Sequence, residues 1–126
     1  MGKYLFLILT DPDKDDENRF RVFNALLNAV EFKNSGHEIA LWFASFGLQA
    51  FLTNDKEIQE LLTKLKDELR IPYSLCGYCA DRLNLGGALA ALQLETSCFM
   101  GGHNEFVGIS GYASQGYQIL IYLQRS

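Results

Sequence analysis

The amino-acid sequence predicts an α/β domain, with a mostly parallel sheet of five strands and helices on both faces. Three observations predict it. The runs Tyr4 to Leu9 and Ile39 to Phe43 are apolar throughout and of strand length, as strands covered on both faces require. After each run the apolar residues fall at helical spacing instead. The elements alternate strand, helix, strand, helix, strand with short connections, the pattern of a parallel sheet. With 126 residues and 48% hydrophobic content, residues 1–126 are expected to form one domain with one core.

Taken in order, Tyr4 to Leu9 is the first strand, broken by the loop Thr10-Asp11-Pro12-Asp13-Lys14. A helix begins in the acidic turn Asp15-Asp16-Glu17, which suits the positive end of a helix dipole. Phe20, Val22, Phe23, Leu26, Leu27 and Val30 are its expected apolar face, and Gly36 stops it. His37 to Phe43 is the second strand, followed by a loop at Ser45-Phe46-Gly47-Leu48 with a turn of helix through Phe51. Asn54, with Glu57 three residues on, is close to a capping box for a helix running to Arg70. Ile58, Leu61, Leu62, Leu65 and Leu69 give that helix one apolar side. Lys56, Glu60, Lys64 and Lys66 read as its solvated side. The third strand is Ile71 to Leu75, with Pro72 near its start, where a missing N–H costs least.

From Gly86 onward the composition changes. The last 41 residues hold only three charges, Glu95, Glu105 and Arg125, and seven of the eleven glycines. A helix is expected over Ala88 to Leu94, a strand over Thr96 to Met100, and a helix from Asn104 to about Ala113. The last strand is Tyr117 to Leu123, rich in Tyr and Ile. A third so poor in charge implies a face turned toward another copy of the chain, so a homo-oligomer is expected.

Composition also excludes. A net charge of −4 with no basic stripe argues against nucleic acid. The first apolar run is too short for a membrane span and no signal-cleavage pattern follows it, so the cytoplasm is the expected location. Gly2 does not start a myristoylation signal, because position 6 is Phe. No glycine-rich phosphate loop follows the first strand, and Asp11-Pro12-Asp13 would repel phosphate; no cofactor is expected. Neither His37 nor His103 lies near a plausible nucleophile elbow, and both read as surface or cap residues.

The chemistry concentrates in Leu75-Cys76-Gly77-Tyr78-Cys79-Ala80, where the third strand ends in a thiol and a second thiol follows three residues later. Ligands and chemistry in open α/β sheets collect beyond the carboxyl ends of the strands. Cys76 is therefore expected to be open to solvent, with Arg82 and the N–H groups of a helical turn near Ala80 lowering its pKa. The bland reading is equally physical, since cysteine often only fills core space. Cys79 could form a redox pair with Cys76 or resolve an oxidised or persulfidated sulfur there. Zinc held by Cys76, Cys79, Cys98 and His103 is a minority alternative, and Cys98 by itself reads as core. Three cysteines, an odd number, fit free thiols better than a disulfide framework.

Three segments together resemble the DsrE/DsrF-like family of sulfur-relay and YchN-like proteins. They are Tyr4 to Thr10 with the acidic loop and helix after it, Ser35 to Phe43 leading to Phe46-Gly47-Leu48, and Tyr73 to Arg82. The chain departs from the family after the cysteine loop, where an Arg-Gly pair is replaced by Arg82-Leu83-Asn84-Leu85-Gly86. The resemblance implies a flavodoxin-like three-layer sandwich and a homotrimer or homohexamer. It also implies a sulfur carrier that holds sulfane sulfur as a persulfide on Cys76, with Cys79 and Arg82 assisting and with sulfur-donor and sulfur-acceptor proteins as partners. A carrier of this kind is a sulfurtransferase-type protein rather than a classical turnover enzyme. The competing readings are an oligomeric binding module with structural cysteines and a Cys-x-x-Cys redox protein.

Overall fold

In the computed structural model, residues 1–96 and 109–125 are described. Four strands, β1 (Lys3–Ile8), β2 (Glu38–Phe43), β3 (Tyr73–Leu75) and β4 (Gln118–Tyr122), form one sheet in the order β3-β2-β1-β4. Every pairing is parallel. The helices are α1 (Asp16–Asn34), α2 (Lys56–Thr63), α3 (Gly77–Arg82), α4 (Gly86–Ala91) and α5 (Ile109–Ser114). A 3-10 segment, Ser45–Phe51, follows β2, and a π-type turn, Lys64–Glu68, ends α2.

The parallel α/β architecture is as expected, but among the described residues the sheet has four strands rather than five. Most of the expected strand Thr96 to Met100 lies outside the described residues, and Thr96 is in no strand. β4 pairs directly with β1, leaving β1 flanked by β2 and β4. The expected helix from Asn104 to Ala113 also begins outside the described residues; its end is α5.

Alternation along the central strands divides the core. Phe6, Ile8, Ile39, Leu41 and Phe43 point to one face, where Val22, Ala25, Leu26, Ala29 and Val30 of α1 and Ile58, Leu62 and Leu65 cover them. Leu5, Leu7, Ala40 and Trp42 point to the other, in a cluster with Cys76 and Tyr112 of α5. Right-handed crossovers explain the division: β1 to β2 and β2 to β3 step the same way, whereas the chain returns past both to place β4 beside β1.

One helix start differs from the sequence reading. Asp15 caps α1 in the expected acidic turn, accepting the Asn18 N–H at 2.9 Å, but Asp55, not Asn54, caps α2 by accepting the Ile58 N–H at 3.0 Å. Asp55 also faces Arg19 Nε at 3.4 Å, a contact between helices that Asn54 cannot make. The apolar stripe of α1 is turned from the expected one, since Phe20 is 60% and Leu27 44% exposed while Asn18 is fully buried. Gly36, at φ 93°, ends α1 as expected.

Candidate functional site

β3 is only three residues long, yet it fixes the start of the thiol motif. The Cys76 N–H donates to the Phe43 carbonyl at 2.9 Å, carrying the pairing with β2 one residue past the strand. Cys76 then caps α3, with Cys76 Sγ accepting the Cys79 N–H at 3.4 Å. Gly77 is buried in the first turn, and the Ala80 N–H donates to the Cys76 carbonyl at 3.0 Å. The motif is thus one tight turn held at both ends by backbone bonds.

Its electrostatics differ from the expectation. Cys76 is not open to solvent; it is 2% exposed, packed with Leu5, Leu7, Ala40, Trp42 and Tyr112. Burial pushes its pKa up to about 11, although the N–H groups of Cys79 and Tyr78 pull the other way. The short helix does not outweigh the loss of water around a thiolate. Nor does Arg82 act on the sulfur: its NH1 donates to Tyr78 Oη at 3.1 Å, and its guanidinium lies 5.8 Å from the centre of the same ring. That pair is an (i, i+4) contact along α3, a spacing visible in the sequence.

Cys79 is half-buried and packs against both clusters, which places it at the seam between the two faces of the sheet. Both Cys76 and Cys79 are free thiols. The zinc alternative also needs Cys98 and His103, which lie outside the described residues. Among the described residues no three His, Cys, Asp or Glu side chains gather as a metal site. His37 is part of the fold, its Nδ1 accepting the Gly2 N–H at 2.9 Å and its ring set edge-on to Tyr4.

Two features near the motif were not foreseen. Ser45, just beyond the end of β2, has φ 54°, a left-handed conformation that costs energy for a residue with a side chain. Tyr112 completes the apolar surroundings of Cys76, and burial raises its own pKa, partly offset by a hydrogen bond with Ser74. Three shallow hollows of about 350 to 460 Å³ open along α1 and α2, and neither thiol lines any of them. The arrangement is therefore a buried thiol with a second, half-buried thiol beside it, and neither lines those hollows.

A profile described as the DsrE/DsrF-like family matches residues 2–120. Among solved structures, the chain is similar to a conserved protein of unknown function, BT1422 from Bacteroides thetaiotaomicron. The TM-score is 0.59 and the identity 23%, covering 94% of each chain. It is also similar to the ychN protein from E. coli, with TM-score 0.61 and 18% identity over 97% of this chain and 100% of the other. No curated protein matches it. At these identities the structural likeness shows the fold alone.

Proposed function

This chain belongs to the DsrE/DsrF-like family, and from that premise we propose that it is a sulfur carrier holding sulfane sulfur as a persulfide on Cys76. The observation that carries the reading is the placement of two free thiols in one turn at the carboxyl end of β3, with Cys76 Sγ accepting the Cys79 N–H. In loading, the Cys76 sulfur attacks the outer sulfur of a donor persulfide. A new S–S bond forms at Cys76, the donor's S–S bond breaks, and the donor leaves as its thiolate, with no net oxidation. The Cys76 proton passes to the medium or to the departing donor.

Burial gives this carrier its character. A thiol whose pKa is raised to about 11 is almost entirely protonated at neutral pH, so loading from small molecules is slow. Once loaded, the same apolar surroundings keep stray thiols from stripping the sulfur. A donor protein that displaces the first turn of α3, or brings a cation to it, would remove the barrier. The reading includes a cytoplasmic location and a homotrimer or homohexamer. No helix among the described residues is long and apolar enough to cross a membrane. Ile121 and Leu123, at 55% and 61% exposure on the edge strand side, support a partner copy. Light scattering at micromolar concentration returning the monomer mass of 14.2 kDa would remove the oligomer from the proposal.

The second reading, structural cysteines in a binding module, is favoured by the burial of Cys76 itself. Cyanolysis after incubation with a cysteine desulfurase and cysteine separates the two. The carrier gives about one thiocyanate per chain from Cys79→Ser and none from Cys76→Ser. No thiocyanate from Cys79→Ser leaves the binding module.

A further inference from the structure

We infer that Cys79 discharges the carrier, attacking a persulfidated Cys76 at Sγ to form the Cys76–Cys79 disulfide and release the outer sulfur as hydrosulfide. This rests on the carrier reading and adds how the sulfur leaves. The Cys79 S–H proton leaves as the new S–S bond forms, and the bond between Sγ and the outer sulfur breaks. The outer sulfur gains two electrons and the two cysteines each give one, so no external oxidant is needed. A dithiol reductant, supplying two electrons and two protons, must then reopen the disulfide before another round.

Four features point to this step. Residues three apart in a helical turn have Cα atoms about 5 Å apart, inside the span a disulfide tolerates. The Cys79 N–H already holds Cys76 Sγ at 3.4 Å, which fixes the inner sulfur rather than leaving it to rotate away. The Cys79 side chain also acts on Cys76 directly, disfavouring charge on its sulfur. Finally, Cys76 is 2% exposed whereas Cys79 is half-buried, so an external thiol is hindered at Sγ while Cys79 needs no access from solvent. Burial, an obstacle to every outside nucleophile, makes the neighbouring thiol the favoured one.

The test uses the full chain and a Cys98→Ser background, which leaves two thiols of the three. The protein is loaded with a cysteine desulfurase and cysteine, separated from both, and followed by sulfide release and peptide mass. The proposal expects about one sulfide per persulfide lost, with a Cys76–Cys79 disulfide appearing at the same rate. It expects Cys79→Ser to keep its persulfide at least about tenfold longer. Wild-type persulfide that persists as long as that of Cys79→Ser, sulfide released without the disulfide, or sulfur migrating onto Cys79 would each overturn it. A parallel arm treats unloaded protein with diamide, a small thiol oxidant, and expects the same disulfide. If Cys76 never loads, the carrier reading fails and this step with it, whatever diamide does. If Cys76 loads but does not discharge, the carrier stands and the inference falls.

Discussion

The carboxyl edge of the sheet holds two polar centres built in opposite ways. Between β1 and β4, where the strand order reverses, the chain closes the crevice with its own end. The Thr10 hydroxyl donates to the Tyr122 carbonyl at 3.0 Å, and the Asp11 N–H donates to Gln124 Oε1 at 2.9 Å. The fully buried Asn18 pairs with Arg125 twice, donating to its carbonyl at 3.0 Å and accepting its N–H at 2.8 Å. At the end of β3, by contrast, one thiol sits in an apolar cluster, where burial raises its pKa and keeps it neutral. The switch point is where an open α/β sheet usually takes its ligand. Here it is occupied by hydrogen bonds from the chain itself, and the two thiols stand two strands away. A centre with its polar groups paired contributes stability; a buried thiol short of water is where the proposed chemistry would be placed.

That contrast can be broken in graded steps. The largest effect is expected at Gly47, where an added Cβ would stand 2.0 Å from the Ile8 carbonyl oxygen and 2.7 Å from its carbon. Gly47→Ala should cost about 3 kcal/mol or more, because backbone must move at the end of β1 and in the segment beside α3. Denaturant unfolding with an unchanged midpoint would contradict that. Asn18→Ala should cost about 2–3 kcal/mol by leaving the Arg125 backbone groups unpaired. It should leave the alkylation rates of Cys76 and Cys79 unchanged, since the two centres are separate. A shared change in both would show them to be one coupled unit.

Next comes pH. The Cys76 pKa is raised in the fold from an ordinary 9.0 to about 11, so the folded state resists losing this proton more than the unfolded chain does. Its stabilising contribution is therefore complete below pH 9 and is lost between pH 9 and 11. The loss is on the order of 2–3 kcal/mol, counted as the excess of wild type over Cys76→Ala in urea titrations at each pH. Parallel curves for the two proteins across that window would remove the raised pKa from the account. The smallest effect is expected for Thr10→Val, about 1 kcal/mol for one hydrogen bond to the Tyr122 carbonyl, again with no change in thiol reactivity.

The thiol centre was visible in the sequence and the closed crevice was not. Cys76 follows the short stretch Ile71 to Leu75, read as a strand from its place in the alternation of elements, so its position at a strand end is a local matter. Its burial is not local, because it depends on Tyr112, Leu5 and Trp42, which reach it through the fold. Arg82 contacts Tyr78, one helical turn before it, a local pairing that the spacing already showed. The choice of Asp55 over Asn54 as a cap depends on Arg19, another tertiary contact. For the crevice, the sequence offered one hint: Asn18 sits in a helix start surrounded by better helix formers. Its partner lies 107 residues away, beyond the reach of any spacing rule.

The central claim is that the guarded sulfur of Cys76 carries the cargo, and peptide mass spectrometry tests it most directly. The protein is incubated with a cysteine desulfurase and cysteine, alkylated, and digested, so that Cys76, Cys79 and Cys98 are read separately. The account predicts the added mass of one sulfur atom on Cys76 in Cys79→Ser, and in the wild type either that mass or the Cys76–Cys79 disulfide that discharge leaves. Sulfur found only on Cys79 or Cys98 of the wild type, or on no cysteine of Cys79→Ser, would contradict it.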